Sequence, residues 1–315
     1  MEIRKVGIAG VGTMGMSIAQ TFARHGYEVF VYDIFEAAIE KAKRNISLNQ
    51  ETEVKENIVT QEESDALLTR ITFGTHKEGF SDVDFLIEAI LEKIEIKHGF
   101  WSEVSRIVKP EAILVSNTSG LSITRIAEVV EHPERFGGMH WINPPHIIPL
   151  VEVISGEHTS TETSDIVYAL AEKVGKKPVR TQDAPGFVLN RIQFAVLREC
   201  LHIVQEGIAS LEDTDKVMKY GLGPRYAVLG PFEVADFGGL DIFNNIASYL
   251  FADLSKAEES FYLLKENFEN NRLGVKNGAG FYDYSDGKDE TAIRYRDEMY
   301  TKVAKVLFGE QPYGE

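Results

Sequence analysis

A cluster of glycines near the start of the chain, an acid 18 residues past its last member, and one histidine with a glutamate 12 residues beyond it are the residue types that chemistry can use. Val6-Gly7-Ile8-Ala9-Gly10-Val11-Gly12-Thr13-Met14-Gly15 reads as an apolar strand, a tight turn and a helix start. In that order Gly10 permits the turn, Gly12 lets a pyrophosphate approach the backbone, and Gly15 lets the helix pack on the strand. The amides that open the helix around Thr13 and Met14, with the positive end of its dipole, then suit phosphates. Asp33 ends the second apolar run, where a carboxylate accepts from both hydroxyls of an adenosine ribose and repels a 2'-phosphate. NAD is therefore expected over NADP. A bare strand-helix turn, with Asp33 as a cap for the next helix, explains less of this spacing.

A nicotinamide that removes hydride from a carbinol carbon leaves a proton for a base, and histidine titrates near neutral pH. Of the eight histidines, His140 stands at the C-terminal end of a strand-like run, on the edge where open parallel sheets hold ligands. Asn143-Pro144-Pro145 turns the chain, and Leu150 to Ile154 returns as a strand whose Glu152 can meet the far imidazole nitrogen. A core histidine and a solvated glutamate account for the same two residues. In Ser116-Asn117-Thr118-Ser119-Gly120, Ser119 can donate to a substrate oxygen and Asn117 can hold the nicotinamide ribose, while capping of a helix that starts near Ser122 is the alternative. Asn190 falls in the first turn of a long helix, where two domains meet and a ligand would lie.

These residues need a scaffold. Val6 to Ala9, Glu28 to Asp33, Ile71 to Phe73, Phe85 to Ala89, Ala112 to Ser116 and Phe136 to Trp141 read as strands, with Pro178 to Thr181 as a last edge strand. Met14 to His25, Glu36 to Leu48, Ser64 to Leu68, Ile94 to Val108 and Ile123 to Val130 carry helical spacing between them, so the fold class is α/β with a parallel, doubly wound sheet. From Val188 to Gly207 apolar residues recur at three and four, and no strand-like alternation follows. A first domain over 1–183 and an all-α domain over 184–315 are expected, hinged at Ala184-Pro185-Gly186. Phe232, Phe237, Phe243, Tyr249 and Phe251 exceed what the second domain needs for its own core, which points to a homodimer.

A formal charge of -16 over 315 residues argues against nucleic acid and anionic membrane surfaces as partners. No apolar run approaches the length of a membrane span and Met1 to Lys5 lacks the marks of a secretory signal, so a soluble, cytoplasmic protein is expected. The partner is a small-molecule substrate, and no metal is expected. The single cysteine, Cys200, reads as a buried structural thiol.

Gly10-x-Gly12-x-Met14-Gly15, Asn117-Thr118-Ser119, His140-x-x-Asn143-Pro144, Leu150-Val151-Glu152-Val153, Pro185-Gly186-Phe187-Val188-x-Asn190-Arg191, Gly230-Pro231-Phe232 and Lys276-x-Gly278-x-Gly280-Phe281-Tyr282 together resemble the 3-hydroxyacyl-CoA dehydrogenase family over nearly the whole chain. The resemblance implies an N-terminal Rossmann domain, a helical substrate and dimerisation domain, and L-3-hydroxyacyl-CoA substrates. It makes His140 and Glu152 the catalytic pair and sets Ser119 and Asn190 at the reacting oxygen or behind the histidine. It places Glu92, Lys97, Asn117, Asn143 and Lys276 at NAD. Pro149 stands where acyl-CoA members carry lysine, and the stretch from Glu36 to Arg70 has few cations for a CoA phosphate. Gly223-Pro224-Arg225-Tyr226-Ala227 and Asn143-Pro144-Pro145 are similar to the branch that holds gulonate dehydrogenase with lambda-crystallin, carnitine dehydrogenase and a pyridine-carboxylate dehydrogenase. On that branch Arg225 would pair with a substrate carboxylate, a surface salt bridge being the alternative. A proton-moving lysine, as in 6-phosphogluconate-like dehydrogenases, is absent from Val188 to Glu206. A non-catalytic, crystallin-like NAD binder is the reading of another class.

Overall fold

The structure is a computed structural model that describes residues 2–55 and 57–309. Eight strands, β1 (Lys5–Ala9), β2 (Glu28–Tyr32), β3 (Ile71–Gly74), β4 (Phe85–Glu88), β5 (Ile113–Ser116), β6 (Phe136–Trp141), β7 (Leu150–Ser155) and β8 (Lys177–Gln182), form one sheet among the described residues. Their order is β3-β2-β1-β4-β5-β6-β7-β8. Helices α1 (Thr13–Arg24), α2 (Glu36–Lys55), α3 (Gln61–Thr69), α4 (Ile94–Val104), α5 (Ile123–Ala127) and α6 (Thr161–Lys173) fill the connections. The chain divides into two compact units, one running to Asn190 and taking in Phe308 as well, the other running Arg191–Leu307. The expected second domain closes at residue 315, and residues 310–315 lie outside those described.

Alternation along the strands explains the layering. Val29, Val31, Phe85, Ile87, Ile113 and Val115 enter one apolar cluster with Ile18 and Phe22 of α1. Their neighbours Phe30, Tyr32, Leu86 and Leu114 enter another with Phe100, Trp101 and Val104 of α4. A sheet covered on both faces needs near-continuous apolar strands, since successive side chains point to opposite sides.

Two features depart from the sequence reading. All neighbouring strands pair in parallel except β6 and β7, which are antiparallel. The connection between them is too short for the crossover of a dozen or more residues that a parallel return requires. Helix α2 runs seven residues past Leu48, to Lys55; its added turns are polar, and Arg24 of α1 pairs with Glu53 at 2.5 Å.

The second unit is helical: most of α7 (Leu189–Gln205), then α8 (Leu211–Val217), a π turn at Met218–Leu222, α9 (Gly223–Tyr226), α10 (Pro231–Gly238), α11 (Leu240–Asp253), α12 (Tyr262–Glu269) and α13 (Lys288–Phe308). Phe232 is 87% exposed and Phe237 82%. Cys200 is half-buried on α7 instead of fully enclosed. No helix among the described residues is long and apolar enough to cross a membrane.

Candidate active site

The glycine turn follows β1 and opens α1. Gly10 has φ 101 and a side chain there would meet the Ala89 carbonyl, while a Cβ on Gly15 would stand 1.9 Å from the Gly10 carbonyl oxygen. Gly12, by contrast, has no atom within 4 Å of where a Cβ would sit. It is also the N-cap of α1, and neither a side-chain cap nor a first-turn acid satisfies that helix end. An exposed turn without Cβ and a set of uncapped amides around Thr13 and Met14 form a cradle suited to an anion. Asp33 accepts from the Val11 amide at 3.1 Å and the Phe35 amide at 3.0 Å. It thus ties the turn to the end of β2 and also serves the local turn before α2.

At the other end of the site, antiparallel pairing sets His140 of β6 directly opposite Glu152 of β7. Both are buried, and Nδ1 of His140 lies 2.8 Å from a Glu152 carboxylate oxygen. The other oxygen accepts from the amides of Val188 and Leu189, each at 2.9 Å. Those amides are presented by Gly186 and Phe187, both with positive φ, 76 and 49. For phenylalanine this is a strained conformation that its surroundings must hold. Its ring is buried and packs 5.7 Å from the imidazole. Burial raises the pKa of Glu152, but the bonds from His140, Leu189 and Val188 outweigh it and hold the carboxyl below its ordinary value. An ionised acid at Nδ1 fixes one tautomer and leaves Nε2 to exchange a proton.

The loop between β6 and β7 carries Asn143, which is exposed, and a cis Asn143-Pro144 bond. Lys176 donates to its Pro145 and Ile148 carbonyls at 2.6 and 3.1 Å and lies over the Trp141 ring. Burial lowers the pKa of Lys176 to about 7.

After β5, Asn117 accepts from the Trp141 amide at 2.8 Å, bracing β6 one residue past His140. Helix α5 is capped by its own Ser122, whose hydroxyl donates to Asp183 at 2.6 Å. Neither Asn117 nor Ser119 performs that capping. Asn190 donates to the Ser119 carbonyl at 2.7 Å, so these two meet. Glu92 accepts from the Thr118 hydroxyl at 2.5 Å and the Ser119 amide at 2.9 Å. Its pKa, raised by burial, is brought below the ordinary value by Thr118, Lys97 and Ser119. Lys97 is 1% exposed, its ammonium between Glu92 and Glu88. Lys276 and Arg225 are exposed residues of the helical unit.

The family description "3-hydroxyacyl-CoA dehydrogenase, NAD binding domain" matches residues 5–184, and "3-hydroxyacyl-CoA dehydrogenase, C-terminal domain" matches residues 186–284. The chain belongs to the 3-hydroxyacyl-CoA dehydrogenase family. Like other members it is an NAD-dependent oxidoreductase acting on CH–OH, and its cofactor is NAD. It is 35% identical to a 5-formyl-3-hydroxy-2-methylpyridine 4-carboxylate 5-dehydrogenase of Mesorhizobium japonicum over 98% of this chain and 100% of that one. A probable 3-hydroxybutyryl-CoA dehydrogenase of Bacillus subtilis is 39% identical over 91% of this chain and 99% of the relative. Among solved structures, a 5-formyl-3-hydroxy-2-methylpyridine 4-carboxylic acid 5-dehydrogenase described as an NAD+ dependent dismutase superimposes with a TM-score of 0.90 at 34% identity, covering 98% of this chain and 99% of that chain.

Within this 3-hydroxyacyl-CoA dehydrogenase family member, sequence reasoning missed Glu88, Thr118, Phe187 and the Val188 and Leu189 amides. Backbone amides leave no residue signature. Glu88 had a faint one, an acid ending an apolar strand.

Proposed function

We propose that the protein oxidises a secondary alcohol on a 3-hydroxyacyl substrate, with His140 as the base and Glu152 as its partner. The 2.8 Å contact between His140 Nδ1 and the buried Glu152 carboxylate carries this reading. NAD, when bound, supplies the hydride acceptor. Nε2 of His140 takes the hydroxyl proton, and Glu152 stabilises the imidazolium that results. Ser119 and Asn190, joined to each other, orient the reacting oxygen. Gly10, Gly12, Thr13, Met14 and Gly15 receive the pyrophosphate, and Asp33 the adenosine ribose. Glu92, Asn117, Asn143 and Lys276 serve the nicotinamide half, with Lys97, 1% exposed, acting through Glu92. The first of the two units is then the NAD-binding domain. We read the helical unit as the substrate and dimerisation domain of a cytoplasmic homodimer, its exposed Phe232 and Phe237 belonging to the interface.

The first reading of the substrate is an L-3-hydroxyacyl-CoA. A free small hydroxy acid is the second, with Arg225 at its carboxylate. It is favoured by the full-length similarity to a pyridine-carboxylate dehydrogenase. Steady-state turnover of (S)-3-hydroxybutyryl-CoA beside 3-hydroxybutyrate, carnitine and gulonate separates them. A preference for a free acid that Arg225→Ala abolishes establishes the second. His140→Gln is expected to lower NADH production about a thousandfold with NADH affinity kept, and an undiminished rate would remove His140 as the base.

A further inference from the structure

Beside the site lies a chain of charges, buried at Glu88 and Lys97 and open to solvent at Glu92, that the proton transfer does not use. Glu88, the last residue of β4, is wholly buried, yet its carboxylate has four donors: Lys97 Nζ at 2.5 Å, the Ser116 hydroxyl at 2.7 Å, the Ile90 amide at 2.9 Å and Trp101 Nε1 at 3.3 Å. The Lys97 ammonium turns its other side to Glu92 at 3.2 Å. Glu92 in turn holds Thr118 and Ser119, and the Ser119 carbonyl holds Asn190. Stability alone does not call for such a pair, because burying two charges costs about as much as their attraction returns. Its position accounts for it better. The chain starts in the sheet core and ends at the loops after β4 and β5, at the sheet edge where doubly wound folds bind their ligands.

We propose that Glu88 is a positioning residue for the nicotinamide half of the cofactor, acting through Lys97 and Glu92 on residues 117–120. This rests on the reading above that Glu92 and its neighbours face that half. With Glu88 charged, Lys97 is shared between two carboxylates and Glu92 keeps an oxygen for Thr118 and Ser119. Without that charge, Lys97 has only Glu92 as a counterion. The ammonium then draws Glu92 inward, and the loop carrying Ser119 loses its anchor. Asp33, which accepts from the Val11 and Phe35 amides, shares no bond with this chain of charges, so the adenosine side keeps its contacts.

Calorimetric titration of the full chain with NADH and with ADP, which lacks the nicotinamide riboside, tests this. Glu88→Gln is expected to weaken NADH about tenfold and to leave ADP within about twofold. If Glu88 acts through Lys97, Glu88→Gln with Lys97→Met binds NADH no worse than Lys97→Met alone, and this double variant leaves no lone buried charge should Glu88→Gln not fold. NADH affinity unchanged in Glu88→Gln overturns the proposal, as does a parallel loss of NADH and ADP. A double variant that does not fold also overturns it, because the pair would then be a requirement of the sheet. Wild type that binds no NADH would instead remove the cofactor reading on which this rests.

Discussion

At the scale of single residues, the site is a matter of which atoms remain available once the fold is made. His140 gives Nδ1 to Glu152, and Glu152 gives its second oxygen to Val188 and Leu189, so the acid is fully committed. This has a consequence for acid stability. A carboxyl whose folded pKa lies below its unfolded value stabilises the fold above the unfolded value, and that contribution is lost as pH falls through the folded one. Because Glu152 is lowered, Glu152→Gln is expected to cost about 2 kcal/mol at pH 7. The gap in melting temperature from wild type should narrow as pH drops below about 4.5. Melting curves from pH 7 to pH 3.5 check it, and a gap that widens on acidification contradicts the assigned ionisation. His140 and Glu152 were readable as types at a useful spacing. The amides behind Glu152 were not, since every residue carries one and only the backbone path decides where it points.

Among the elements, the glycine turn separates two roles that one motif superimposes. Gly15 abuts the Gly10 carbonyl whereas Gly12 faces open space, so the same added methyl should act differently at each. Gly15→Ala forces backbone apart and is expected to destabilise by about 1–3 kcal/mol. Gly12→Ala should melt with wild type yet bind NADH at least about tenfold more weakly. Thermal unfolding and NADH titration on both variants decide this, and a destabilised Gly12→Ala would refute the assignment. The strands were legible because β1, β2, β4 and β5 are short apolar runs that both faces of the sheet require. The reversal at β7 was legible only as a return, because the length of the loop after Trp141, and not any residue in it, forbids a crossover. The end of α2 was hidden by its polar last turns, which hold through Glu53 and Arg24 instead of an apolar stripe. Glu88 was concealed by the same logic: an acid in the core makes sense only once Lys97, Trp101 and Ser116 are seen to converge on it.

For the molecule as a whole, a formal charge of -16 and the exposed aromatics of the helical unit pull in opposite directions. Two like-charged copies repel, and salt screens that repulsion while sparing apolar contact. Sedimentation is therefore expected to show a dimer that tightens about tenfold between roughly 20 mM and 500 mM salt, and one that salt dissolves would point to a polar interface. A further route to self-association is an outer margin of the sheet, such as the one at β8. There, among the described residues, β8 leaves one side of its backbone without a neighbouring strand. The Lys177 amide is turned inward to the Pro149 carbonyl, so in the alternation of an extended strand residue 178 is turned outward. Proline occupies it, with no N–H to offer, and Arg180 follows two places on with a guanidinium held by Asp165. An incoming strand meets a missing rung at Pro178 and a charged side chain at Arg180, two features that disfavour pairing along this margin.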